Sequence, residues 1–165
     1  MKESVGGISL TMIVITLILL FAGIMSLTIS RSNAIAVKDR VMRIVEEWDG
    51  FDMDEGSRDR TRLNTDCSGD ETLCDILETI NSYSYRQTGV CPEVDAGSQV
   101  LGFQRNGAVV SSGGVASFCI IRTPAGLDES GKYYYKIVMF YGIDIPVIKT
   151  LLNFKATGET KMLNN

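Results

Sequence analysis

The apolar positions of this chain are gathered into one long block near its start and spread in shorter rhythms afterwards. From Ile8 to Ile29 the sequence reads ISLTMIVITLILLFAGIMSLTI, without charge or proline and with a single glycine. About 20 apolar residues at 1.5 Å rise cross the roughly 30 Å hydrocarbon layer, whereas a core helix in a small soluble protein seldom exceeds about 14. The run therefore reads as a membrane-crossing helix. A cleaved secretory signal would instead show about 7–15 apolar residues between a basic start and a small-residue exit. Here Lys2 is the only basic residue ahead of a longer run.

After the polar group Ser30-Arg31-Ser32-Asn33, apolar residues recur at Ala34, Val37, Val41, Ile44, Val45 and Trp48, and spacings of three and four are helical. No glycine or proline interrupts from Ala34 to Asp49, so the pattern predicts one helix from about Ile8 to about Trp48, leaving the bilayer and continuing as an amphipathic stalk. Lys38, Asp39, Arg40, Arg43, Glu46 and Glu47 read as its solvated face, and the aliphatic stripe is free to pack on a domain. Asp49-Gly50 ends it, with the glycine expected in the left-handed conformation. Residues 51–66 lack periodicity and read as a surface loop. Its Asp52, Asp54, Glu55 and Asp59 do not fit a calcium loop, because the glycine is misplaced and no closing glutamate follows at the required distance. Leu73, Ile76, Leu77 and Ile80 predict a short second helix covering a sheet.

From Gln99 the rhythm becomes that of strands. QVLGFQR and AVVSS flank Asn106-Gly107, read as a two-residue hairpin turn. VASFCIIRT, the loop PAGLDESG and the long run KYYYKIVMFYGI follow, then TLLNFKAT and ETKML on either side of Thr157-Gly158. The fold expected is α+β: a long N-terminal hydrophobic helix continuing as an amphipathic stalk, packed on a small antiparallel sheet of about four to six strands in a meander. The organisation expected is residues 1–7 as a short leader or cytoplasmic tail, 8–29 as the membrane or filament-core helix, 30–49 as its amphipathic continuation, and 50–165 as an extracytoplasmic domain.

Charge and composition narrow the function. A chain of 165 residues with net charge -4 has no basic field for nucleic acid, and with no histidine it has no Ser-His-Asp or Cys-His pair and no histidine-ligated zinc. No nucleotide loop or nucleophile elbow is present either. No enzyme activity, metal or cofactor is expected.

Cys67, Cys74, Cys91 and Cys119 all follow the apolar run. An even number in a small domain behind an export-type segment suggests two disulfides, with a four-thiolate zinc site and free thiols as the rival states. Spacings of six, sixteen and twenty-seven intervening residues lack the close pairs usual for zinc. Of the three connectivities, Cys67–Cys74 with Cys91–Cys119 is preferred. Arg31, Lys38, Arg40 and Arg43 argue for a cytoplasmic domain by the positive-inside rule. Interspersed acids, a seven-residue tail and the cysteine pattern argue for the outside, which is the placement expected.

The leader MKESVGG, the apolar helix, the amphipathic stalk and the cysteine-bearing sheet together resemble the type IV pilin superfamily, most closely the pilin-like proteins of the tight-adherence (Tad) branch. The stretch YYYKIVMFYGIDIPVIKTLLNFKATGETKML is similar to theirs, with a strand, a kink at Ile145-Pro146 and a closing hairpin around Gly158-Glu159-Thr160. The resemblance implies cleavage by a prepilin peptidase between Gly7 and Ile8, and hydrophobic helices bundled into a filament or pseudopilus. Ile13, Leu17, Leu20, Ile24, Leu27, Val37 and Val41 would then form the assembling face. The partners implied are copies of itself or related pilins, membrane lipid before assembly, and the pilus assembly machinery. The glutamate that pilins carry five residues into the mature helix is Met12 here, which removes an alignment device but not the apolar packing. The alternative is a monomeric membrane-anchored binding module, in which Tyr83, Tyr85, Tyr133, Tyr134 and Tyr135 offer an aromatic surface. Strand alternation would send Tyr134 to the face opposite its neighbours.

Overall fold

The computed structural model describes residues 2–51, 53, 71–110, 113–125, 131–142 and 153–164. One helix, α1 (Lys2–Glu47, 46 residues), dominates it and is roughly 70 Å long at 1.5 Å per residue. It begins ahead of the apolar run and stops one residue short of Trp48. The stop is a Schellman-type cap in which Gly50 N–H donates to Val45 O (2.9 Å). The left-handed residue is Asp49 (φ 54°) rather than the expected Gly50, which instead has φ 133°. Gly50 is needed both for that positive φ, which side chains rarely adopt, and for its size, since a Cβ there would sit 3.1 Å from the Tyr135 hydroxyl.

The second helix, α2 (Glu71–Ser82), buries Leu73, Ile76 and Ile80. It packs chiefly on α1, not across the sheet as its sequence suggested. The strands are β1 (Gly89–Val90), β2 (Gln99–Phe103), β3 (Val109–Val110), β4 (Val115–Ala116), β5 (Phe118–Pro124), β6 (Lys132–Gly142), β7 (Asn153–Glu159) and β8 (Leu163–Asn164). The main sheet is antiparallel in the order β3-β2-β5-β6-β7 with β8 also on β6, while β1 and β4 pair separately. The architecture is thus α+β, a long apolar helix packed on an antiparallel sheet, with a disulfide between Cys91 and Cys119.

The order departs from a simple meander because β2 pairs with both β3 and β5. The β2–β3 connection is also wider than a two-residue turn. Gly107 N–H donates to Gln104 O (2.9 Å), Gln104 N–H donates to Ala108 O (2.8 Å), and only Gly107 takes positive φ (84°). That is a type I turn closed by a left-handed glycine; a two-residue type I′ turn would need positive φ at both central residues. At the C-terminus no hairpin forms at Gly158-Glu159-Thr160. β7 and β8 run along the same edge of β6, and the register shifts from Lys136↔Glu159 to Tyr133↔Leu163. Three residues, 160–162, oppose two, so the expected turn is a bulge within one edge strand. Thr160 closes it: its Oγ1 accepts from Tyr135 N–H (3.0 Å) and its N–H donates to Tyr135 O (2.9 Å). The Ile145-Pro146 kink lies outside the described residues.

Strand alternation sorts the sheet into two faces. Leu101, Phe103, Phe118, Ile120, Tyr135, Ile137 and Met139 join Ala34, Val37, Val41, Ile44 and Val45 of α1 in the main core. Phe118 stacks on Phe103 at 5.1 Å between centroids, and Phe51 meets Phe103 edge-on at 5.6 Å. The other face carries a second, smaller core of Ala116, Cys119, Ile121, Val138 and Phe140, packed with Cys91 and Val94. Being covered on both faces explains why the middle of β6 is apolar at almost every position.

Candidate functional site

The surface that most needs an explanation is the first half of α1. Among the described residues one helix is long and apolar enough to cross a membrane, and its apolar window is uncovered by the rest of the described chain. Ile13, Leu17, Leu20 and Ile24 are each more than half exposed, and Leu27 is half-buried. Val37 and Val41 differ: both are fully buried in the chain's own core, so the structure removes them from any lateral surface. Two hydroxyls in the run bond to the helix's own backbone. Thr16 Oγ1 donates to Met12 O (2.8 Å) and Thr28 Oγ1 to Ile24 O (2.9 Å), so both hydroxyls are satisfied within the helix itself. Gly7 and Ile8, the candidate processing junction, lie inside the helix, and Met12 is exposed on it.

The cysteine expectations can be placed in part. Cys91 and Cys119 are bonded to each other, with Cα atoms 5.8 Å apart. The bond ties the segment ahead of β2 to the middle of the sheet and holds the smaller core shut. Gly102 lies beneath it, where a Cβ would come within 2.8 Å of Cys91 Sγ. Cys74 is disulfide-bonded, and Cys67 lies outside the described residues. So do Asp52, Asp54, Glu55 and Asp59; among the described residues no cluster of three or more His, Cys, Asp or Glu side chains could hold a metal ion.

Alternation divides the tyrosines as the sequence implied. Tyr135 is buried and Tyr133 packs on the same core, with the Arg122 guanidinium 4.8 Å from the Tyr133 ring centre. Tyr134 instead lines a groove of ≈ 360 Å³ on the opposite face of the sheet. They do not converge into one aromatic platform. Tyr85 has a role that sequence spacing did not reveal. Its hydroxyl donates to Phe140 O and accepts from Phe140 N–H (2.7 Å), taking the place of a strand neighbour just beyond Phe118, where β5 begins. Burial pushes its phenol well above the ordinary value of 10.0, and the hydrogen bond to Phe140 works weakly the other way.

Two further recesses flank α1. One of ≈ 550 Å³ lies between α1 and α2 and gathers Glu47, Asp75 and Glu78 with Arg40; Trp48 Nε1 donates to Asp75 Oδ2 there (3.0 Å). The other, of ≈ 220 Å³, sits where α1 leaves the domain, between Ser26–Asn33 and the turn after α2. That turn is a second Schellman cap, with Tyr85 N–H donating to Ile80 O (3.1 Å) and Ser84 at φ 50°. No family model, curated protein or solved structure matches this chain.

Proposed function

We propose that this chain is a structural subunit on the plan of a tight-adherence type IV pilin: it waits in a lipid bilayer and assembles through the first half of α1 into an extracellular filament or pseudopilus. The observation that carries this reading is the continuity of α1. The same helix is the spine of a folded domain from Ala34 onward and an uncovered, all-round apolar rod from Ile8 to Ile29. A rod apolar on every side requires an apolar surrounding, which lipid supplies first and neighbouring helices supply after assembly. The domain is assigned to the outside of the cytoplasm because Cys74, Cys91 and Cys119 are disulfide-bonded, a state that persists in oxidising compartments.

Intact mass and N-terminal sequencing of the unreduced native protein test the reading. A start at Ile8 and a mass four hydrogens below the fully reduced value are expected. Leu17→Cys and Ile24→Cys, each treated with a bismaleimide in native membranes, should give a cross-linked dimer, and the double variant carrying both should give a ladder of longer chains. A start at Met1 with neither dimer nor ladder would leave the monomeric membrane-anchored binding module as the better account. One observation favours that alternative: with Val37 and Val41 buried in the domain, the stalk offers other copies less apolar surface than its stripe suggested.

A further inference from the structure

We infer that the recess where α1 leaves the domain is a site for the phosphate of an anionic phospholipid headgroup, with Arg86 as its cationic anchor. The inference rests on the bilayer-held state proposed above. Position comes first. The recess is lined by Ser26, Ile29, Ser30 and Asn33 of α1, so it spans the end of the apolar run and reaches one turn inside it. A bilayer around Ile8–Ile29 puts its headgroup layer at that level. The turn from Tyr83 to Gln87 descends beside α1 to meet the same layer, and Tyr83 (46% exposed) and Ile29 (60% exposed) present apolar surface beside polar groups, as residues at a membrane interface do.

Chemistry separates this recess from the other two. The α1–α2 recess carries Glu47, Asp75 and Glu78, and the sheet-face groove carries Glu93, Asp95 and Glu159. Among the described residues no carboxylate lines the junction recess, and Arg86 is the charged side chain there. Arg86 is exposed and makes no ion pair with another described residue, so its planar guanidinium is available to a phosphate. The hydroxyl of Ser30 accepts from Gly142 N–H (3.3 Å), which leaves its own proton to donate. Tyr85, by contrast, is already engaged with the Phe140 backbone and contributes only a wall. Asn33 and Ser84 supply further neutral donors. An anion in a recess with cationic and neutral donors and, among the described residues, no competing carboxylate is the ligand this lining suits.

The full chain in detergent, offered equimolar phosphatidylglycerol and phosphatidylcholine and examined by native mass spectrometry, tests the site. Preferential retention of one phosphatidylglycerol is expected. Arg86→Gln should lower that preference about fivefold, the effect of one surface cation against anionic lipid, and Arg86→Lys should restore part of it. Arg122→Gln, far along the sheet, should change nothing. Equal retention of the two lipids, or no effect of Arg86→Gln, overturns the inference. Inorganic phosphate displacing the lipid at millimolar concentration also overturns it, and assigns the recess to a free anion. A chain that alkaline washing strips from phosphatidylcholine liposomes defeats the bilayer reading itself. A chain that stays inserted without lipid preference defeats only the headgroup site.

Discussion

Between Ile8 and Ile29, α1 carries aliphatic side chains on every side and covers almost none of them with the rest of the chain; between Ala34 and Val45 it carries a single apolar stripe and buries it completely. The helix is continuous across the two halves, so backbone geometry does not distinguish them. What distinguishes them is the surrounding each pattern requires. A stripe is satisfied by surfaces packed on one side of the helix, here β6, β7 and α2, and leaves Asp39, Arg40 and Glu47 in water. An all-round apolar rod cannot be satisfied by one sheet face and must find its surroundings outside the chain. The contrast assigns folding to the second half and leaves the first uncovered by the chain, which is the surface the proposed bilayer and filament surroundings would cover.

The sharpest way to break the comparison is to place one charge in each half. Val41→Asp buries an uncompensated carboxylate in the main core and should cost on the order of 3–5 kcal/mol, unfolding the domain in a denaturant titration. Leu17→Asp should leave the domain's unfolding midpoint unchanged while raising the cost of bilayer insertion by roughly 2.5–3.5 kcal/mol, read as loss of membrane partitioning. Equal effects on domain stability would mean that the halves are not separate in function.

Smaller changes probe the boundary between the halves. Tyr85→Phe strips both Phe140 backbone groups of their partner and should destabilise by about 1–3 kcal/mol in the same titration. It should also alter the alkaline limb. The folded phenol is held above its unfolded value of 10.0, so its contribution is full below about pH 10 and is lost as pH rises above it. The Phe variant should show a shallower decline there. Gly158→Val tests how closely the second half sits on β7. A Cβ at Gly158 would lie 2.3 Å from Met42 Sδ and 3.0 Å from Lys38 Cδ, and the flexibility of both side chains should hold the cost to about 1–2 kcal/mol. Membrane partitioning of this variant should match that of the parent chain. The smallest effect is a gain: Ser84→Gly relieves a left-handed non-glycine residue at the α2 cap and should raise stability by roughly 0.5–1 kcal/mol, seen as a higher melting temperature.

Much of the candidate surface was legible along the chain. The length and composition of Ile8–Ile29, the apolar spacing of 34–45 and the short apolar, β-branched and aromatic runs of β5 and β6 are local patterns, and they need no knowledge of where the chain goes next. The pairing of Cys91 with Cys119 was a preference among three connectivities, and it became a fact only once β5 lay beneath the segment ahead of β2. Tyr85 looked like one more aromatic residue. Its bond to Phe140 spans 55 residues of sequence, and no spacing rule reaches that far. Arg86 carried no signal either, because its surroundings come from α1 and from the end of β6, both distant in the chain.

The sequence by itself determined that an apolar rod, a helical stripe and a set of antiparallel strands exist, since each follows from the chemistry of neighbouring residues. Only the tertiary structure decided that Val37 and Val41 belong to the chain's own core, that the sheet has two covered faces, and that the Thr157–Thr160 stretch is strand and bulge instead of turn. Those outcomes depend on which surfaces meet across long stretches of chain. Burial and register are properties of both partners in a contact, and a one-dimensional pattern describes only one of them.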